Sequence, residues 1–123
     1  KDCSKAAKKN TVNIPKIELH ESSEDYYNTL FHELVHSTGH PKRINRSTIT
    51  TYSQFGDMTY SEEELVAELG ASFLAAYTGI DRESLMKNNA AYLKGWVSKF
   101  RDDKKMILKA AAEAQKAVNW IVS

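Results

Sequence analysis

His32-Glu33-Leu34-Val35-His36 is an H-E-x-x-H run, and its residue types and spacing suit metal chemistry. Residues four apart on a helix differ by about 40° in azimuth, so both imidazoles face the same way and can grip one ion. Glu33 stands beside them, where its carboxylate can reach a water on that ion without taking a coordination position. Zinc suits such a set, because its catalytic sites use three protein ligands and leave a fourth position for water. Bound zinc lowers that water's pKa toward ~7, and a neighbouring carboxylate takes the proton as hydroxide attacks a carbonyl. The run alone does not decide the matter, since the same residues can lie as charges on a solvated helix face.

Two imidazoles leave one protein ligand to find. The next acidic helix reads Ser61-Glu62-Glu63-Glu64-Leu65-Val66-Ala67-Glu68-Leu69-Gly70-Ala71. Glu64 and Glu68 lie one turn apart on one face, flanked by Ala67 and Ala71, and Gly70 would let this helix approach the histidine helix closely. The pattern is similar to zincins whose third ligand is Glu. In them a second acid, four residues on, hydrogen-bonds a ligand imidazole and fixes its tautomer. Mapped here, Glu64 is the metal ligand and Glu68 the orienting residue. Other readings stay open: Ser61-x-x-Glu64 is also a capping box, and Glu68 is an alternative ligand. Were the helix to start at Thr59, Glu62 would take the capping role and release Glu64.

His40 is a further candidate ligand, but it follows the Gly39 stop and leaves the helical face. His20 precedes the helix and reads as a loop histidine. The metzincin variant requires another histidine at a position held by Lys42, so it fails. Tyr60 is a candidate donor to the oxyanion of a tetrahedral carbonyl, against packing as its plainer role.

The elements that must position these residues are mostly helices. Ser22-Ser23-Glu24-Asp25 supplies a hydroxyl N-cap and first-turn acids. Tyr27, Leu30, Phe31, Leu34 and Val35 then form one apolar stripe, predicting an amphipathic helix over 23–38 that Gly39 and Pro41 end. A non-periodic loop spans 41–60. A second helix is expected from near Ser61 to about Gly79. A third, near 88–100, carries Ala91, Leu93, Trp96, Val97 and Phe100. A fourth, from about Asp103, buries Met106, Ile107, Ala110, Ala111, Ala114, Val118 and Ile121. The aromatic residues of the last two helices read as core. Thr11-Val12-Asn13-Ile14 alternates and is β-branched, which predicts a short edge strand closed by Pro15. The fold class expected is therefore α+β, mainly helical, with a small edge sheet. Residues 1–10 read as a disordered basic tail and 11–123 as one domain.

The totals agree with a single domain: 123 residues, 41% hydrophobic, 27% charged. No apolar run approaches the ~20 residues needed to span a bilayer, so no membrane association is expected. Cys3 is the sole cysteine, which excludes an internal disulfide and a cysteine metal cluster, and a cytoplasmic setting is the default. The Lys1–Ser4 start has no apolar h-region and does not read as a signal peptide, and the lack of an initiator Met leads us to expect the C-terminal part of a longer protein. The net charge of +1 hides a division, because residues 17–81 are acidic and both flanks are basic. Basic flanks can approach nucleic acid, but no recognisable binding motif accompanies them. All four histidines lie in the acidic middle.

From Tyr26 to about Ala117 the sequence resembles the zincin-like metallopeptidase domain of the ArdC-type antirestriction proteins. The matching stretches are Tyr26 to His40, then Arg43, then Glu63 to Ala71, extended by Ala90-Ala91-Tyr92-Leu93 with Trp96, and by Asp103-Lys104-Lys105 with the Ala-rich helix. The resemblance implies a peptidase-like domain that follows an N-terminal single-strand-DNA-binding region in proteins of plasmids and conjugative elements. It implies metal ligation by His32, His36 and Glu64 around one Zn²⁺, with Glu33 as base and a protein or peptide as substrate. Any DNA association is expected to run through such an N-terminal region. Ser37 stands where an aromatic residue is common in that family. In this fold class substrates often lie as an added strand along a sheet edge, for which Thr11–Ile14 is the candidate. The alternative function is a catalytically silent, metal-containing interaction module that assists DNA-handling or antirestriction partners.

Overall fold

The computed structural model describes residues 12–47, 58–80, 94, 95, 98, 101 and 104–123, with 58–61 described for their backbone alone. Three long helices carry the described structure: α1 (Ser23–Ser37), α2 (Met58–Thr78) and α3 (Lys104–Val122). A short 3-10 turn, Ile17–Leu19, precedes α1. The helix α2 packs against both of the others, which touch each other less, so it is the central element.

Each helix forms for a local reason. The Ser22 hydroxyl accepts the Asp25 amide at 3.0 Å and caps α1, as its sequence predicts. The α1 stripe then buries Phe31 and Val35. At its far end Thr38 takes over, its hydroxyl donating to the Val35 carbonyl at 2.6 Å. The helix α2 is apolar and small-sided where it meets its neighbours, burying Leu65, Val66, Ala67, Ala71, Leu74 and Ala75. It ends at Gly79, whose φ of 74° is the left-handed conformation that glycine adopts without a Cβ penalty. On α3 the alanines Ala110, Ala114 and Ala117, with Val118, form the buried seam.

The expected edge sheet is absent from the described residues. Among the described residues there is no strand, and Val12-Asn13-Ile14 is irregular. A strand this short gains stability only from a ladder partner, and alternation cannot supply one. Val12 is exposed, and the chain turns through Ile17–Leu19 into α1. The described fold is all-helical rather than α+β, and the strand-addition site expected at Val12–Ile14 goes with the sheet. Thr11 lies outside the described residues.

Two further expectations are corrected. The second helix starts at Met58, not near Ser61, because Ser61 reads as a cap only when the preceding residues are taken for loop. Trp120 is 49% exposed and outside the core. The segments 1–11 and 48–57 lie outside the described residues, as does most of the expected helix over 88–100, of which Lys94, Gly95 and Ser98 are helical.

Candidate metal centre

The two helices that carry the candidate ligands meet at Gly70 and Val35, and three of their donors come together. On α1 the rings of His32 and His36 stand one turn apart, centroids separated by 4.7 Å and planes at 77°. Their Nε2 atoms are 3.1 Å apart. From α2, Glu64 brings Oε2 to 2.8 Å from His36 Nε2 and Oε1 to 3.5 Å from His32 Nε2. One donor atom from each of the three residues lies within 4.8 Å of the others. Metal–donor bonds of about 2.0–2.2 Å let two donors on one ion lie ~4 Å apart, so these separations suit a single ion.

The hydrogen bonds behind the rings favour the same reading. A carboxylate can only accept and a neutral imidazole has one N–H to give, so in the neutral rings that proton goes to the acid behind each ring and Glu64 Oε2 is left without a donor. His36 Nδ1 donates to Glu63 Oε2 at 2.7 Å, and His32 Nδ1 donates to Glu68 Oε1 at 2.9 Å. In the neutral rings this turns both Nε2 lone pairs toward Glu64, whose buried Oε2 then receives no hydrogen bond. Three lone pairs facing one point need a cation there. Burial works against ionisation of Glu64, but hydrogen bonds from His32 and His36 when protonated, and their charge, hold its carboxyl well below the usual range. A proton or a metal ion answers the same demand.

Glu63 is the more deeply set acid. Burial alone would raise its pKa, but hydrogen bonds from Arg46 and then His36, with their charges, bring it down to about 2. Arg46 donates from Nε to Glu63 Oε1 at 2.7 Å and from Nη2 to Oε2 at 2.8 Å.

The structure brings His32, His36 and Glu64 together and sets Glu68 behind His32. Ser61 is inside α2 rather than at its cap, which removes the capping-box reading of Glu64. Glu33 is 5% exposed, beside His32 on α1 and outside the group of three donors. His40 is not brought in: its Nδ1 accepts the Lys42 amide at 3.0 Å in the turn after α1. Loss of water, then Arg43 and Lys42, lowers its pKa. His20 is held by Asp25 and by the Pro15 carbonyl, at 3.0 Å and 3.2 Å. The Tyr60 side chain lies outside the described residues.

Sequence reasoning missed the roles of Glu63 and Arg46. Glu63 sits between two other acids and looks like part of a solvated run, and Arg46 falls in a stretch without periodicity. The available signal was the triple acid itself: three consecutive helical residues cannot all face water when the helix is packed on two sides.

A family model described as a zincin-like metallopeptidase matches residues 3–113. The chain belongs to this family. Among the relatives, a DNA primase TraC of Escherichia coli is 33% identical over 92% of this chain and 10% of its own length. A second Escherichia coli TraC is 31% identical over 92% of the chain and 8% of that protein. The chain thus spans about a tenth of the curated primases it matches. A crystal structure of the antirestriction protein ArdC from plasmid R388, in a Mn(II)-bound form, superposes with a TM-score of 0.68 at 38% identity. That match covers 93% of this chain and 41% of ArdC. Membership of a zincin-like family agrees with a donor set of two imidazoles and a carboxylate fitted to one divalent metal.

Proposed function

We propose that this domain hydrolyses peptide bonds with one Zn²⁺ held by His32, His36 and Glu64, as part of a mobile-element antirestriction protein. The observation that carries the reading is the convergence of two imidazole Nε2 atoms and the Glu64 carboxylate, with each Nδ1 set against a separate acid. When bound, such an ion supplies Lewis acidity toward a carbonyl and a water acidified to near neutrality.

The protein's own residues do the rest. Glu68 and Glu63 keep both rings in the tautomer that presents Nε2. Glu33 takes the proton of the attacking water on its carboxylate and returns it to the departing amine. Its burial limits competing bulk water and leaves the carboxylate oriented by the protein. The identity of the metal as zinc is inferred from the mixed imidazole and carboxylate ligands, although the ArdC relative holds Mn(II).

The substrate on this reading is a protein or peptide. DNA association belongs to other regions of the proteins that carry such a domain, in keeping with the primase and antirestriction relatives. Among the described residues no helix is long and apolar enough to cross a membrane. A cytoplasmic setting is the proposed one, in keeping with a sequence that has a single cysteine.

The test is hydrolysis of a fluorogenic peptide library by the zinc-loaded protein beside Glu33→Gln. Cleavage by the parent protein, with loss of cleavage but full metal content in the variant, is the expected result. Equal cleavage by both, or none by either, would contradict the hydrolytic reading.

A further inference from the structure

His36 is fixed by a chain of contacts that starts well beyond its own helix. Behind its Nδ1 lies Glu63, and both Glu63 oxygens are gripped by the Arg46 guanidinium, at 2.7 Å and 2.8 Å. The remaining donors of Arg46 tie it to the end of α1: Nη1 donates to Thr38 Oγ1 and Nη2 to the Val35 carbonyl, each at 2.9 Å. Neither His36, Glu63 nor Arg46 is more than 3% exposed. A guanidinium matches a carboxylate with two parallel bonds in one plane, which stops the carboxylate from turning. A carboxylate that cannot turn keeps one oxygen on Nδ1.

The turn that delivers Arg46 is shaped for the purpose. Ile44, Asn45 and Arg46 donate their amides back to the Thr38, His40 and Gly39 carbonyls at 2.9, 3.1 and 3.1 Å. Asn45 has a φ of 57°, the left-handed region that asparagine tolerates better than most residues, and this folds Arg46 back beneath the helix end. The other imidazole is held differently. His32 has Glu68 behind it, and among the described residues no arginine or lysine pairs with that acid.

We propose that Arg46 is a positioning residue for the metal centre, acting through Glu63 to hold His36 in its Nδ1–H tautomer with Nε2 directed at the ion. The inference rests on the proposed metal role of His32, His36 and Glu64. Arg46 touches no reacting atom. Its effect on the His36 tautomer passes through the carboxylate it grips.

The experiment compares the parent protein with Arg46→Gln, Arg46→Lys, Glu63→Gln and the Arg46→Gln/Glu63→Gln double variant. Two quantities are read: Zn(II) affinity by competition with a chelator, and the His36 tautomer in the metal-free protein by long-range nitrogen–proton NMR correlation. Arg46→Gln should weaken Zn(II) binding by about 10- to 100-fold and mix the His36 tautomers. Arg46→Lys keeps the charge without the two-pronged grip and should restore only part of the affinity. It carries the same test should Arg46→Gln fail to fold. The double variant should bind no more weakly than Glu63→Gln alone. A folded Arg46 variant with parental affinity and an unmixed tautomer would overturn the proposal, as would additive losses in the double variant. Failure of the underlying metal reading looks different: the parent protein itself would take up no Zn(II).

Discussion

Gly70 of α2 lies directly against Val35 of α1, inside the H-E-x-x-H run: a Cβ at Gly70 would stand 2.6 Å from Val35 Cγ2 and 2.9 Å from Cγ1. The same Cβ would meet Val35 Cβ at 3.3 Å, so turning the valine about χ1 gives no escape. The distance between the helix that carries the imidazoles and the helix that carries the acids is therefore set by a missing methyl group.

Gly70→Ala should force the helices apart. Overpacking costs about 1–3 kcal/mol, against ~1 kcal/mol gained from alanine's better helix propensity. We expect a lower urea midpoint and weaker Zn(II) binding together, since Glu64 rides on the displaced helix. A midpoint raised above the parent's, with metal affinity intact, would show that the contact carries no such constraint.

Glu64→Ala and Glu62→Ala separate the proposed metal ligand from its neighbour in the acid run. Glu62 lines a cavity of about 310 Å³ between the 44–47 turn, α2 and α3, away from the imidazoles. Loss of Glu64 should weaken Zn(II) binding by more than the ~10–100-fold typical of an orienting partner. Loss of Glu62 should leave binding near the parental value. Equal effects in a chelator competition would mean that the third ligand is misassigned.

Acid stability follows from Glu63. Its folded pKa of about 2 lies below the ordinary 4.5, so ionised Glu63 favours the folded state. That contribution is complete above pH 4.5 and is lost as the pH falls toward 2. In metal-free protein, urea midpoints of the parent and Glu63→Gln should differ most above pH 4.5 and converge as acid is added. A gap that stays constant across that range would argue against a carboxylate stabilised by Arg46 and His36.

The helices were legible because their signals are local. Ser22 capping, the Phe31–Val35 stripe and the alanine seam of α3 are each written within a few turns. Gly70 was legible too, because a glycine among alanines on a helix face implies close approach. The pairing of Glu64 and Glu68 followed from their one-turn spacing. What failed needed knowledge of distant neighbours. Val12-Asn13-Ile14 has strand-like residues but no ladder partner among the described residues. Glu63 differs from Glu62 only in the face it presents to α1, and Arg46 becomes meaningful only once the 38–46 turn folds it inward. Trp120 looked like core because size suggests burial, yet α3 has its buried seam elsewhere.

Metal stoichiometry tests the central claim most directly. Purified chain, stripped by chelator and titrated with Zn(II), should take up one ion, and His36→Ala should abolish that uptake while the helical circular dichroism persists. A titration that shows no measurable binding, or unchanged uptake in a folded His36→Ala protein, would contradict a metal centre built on these three side chains.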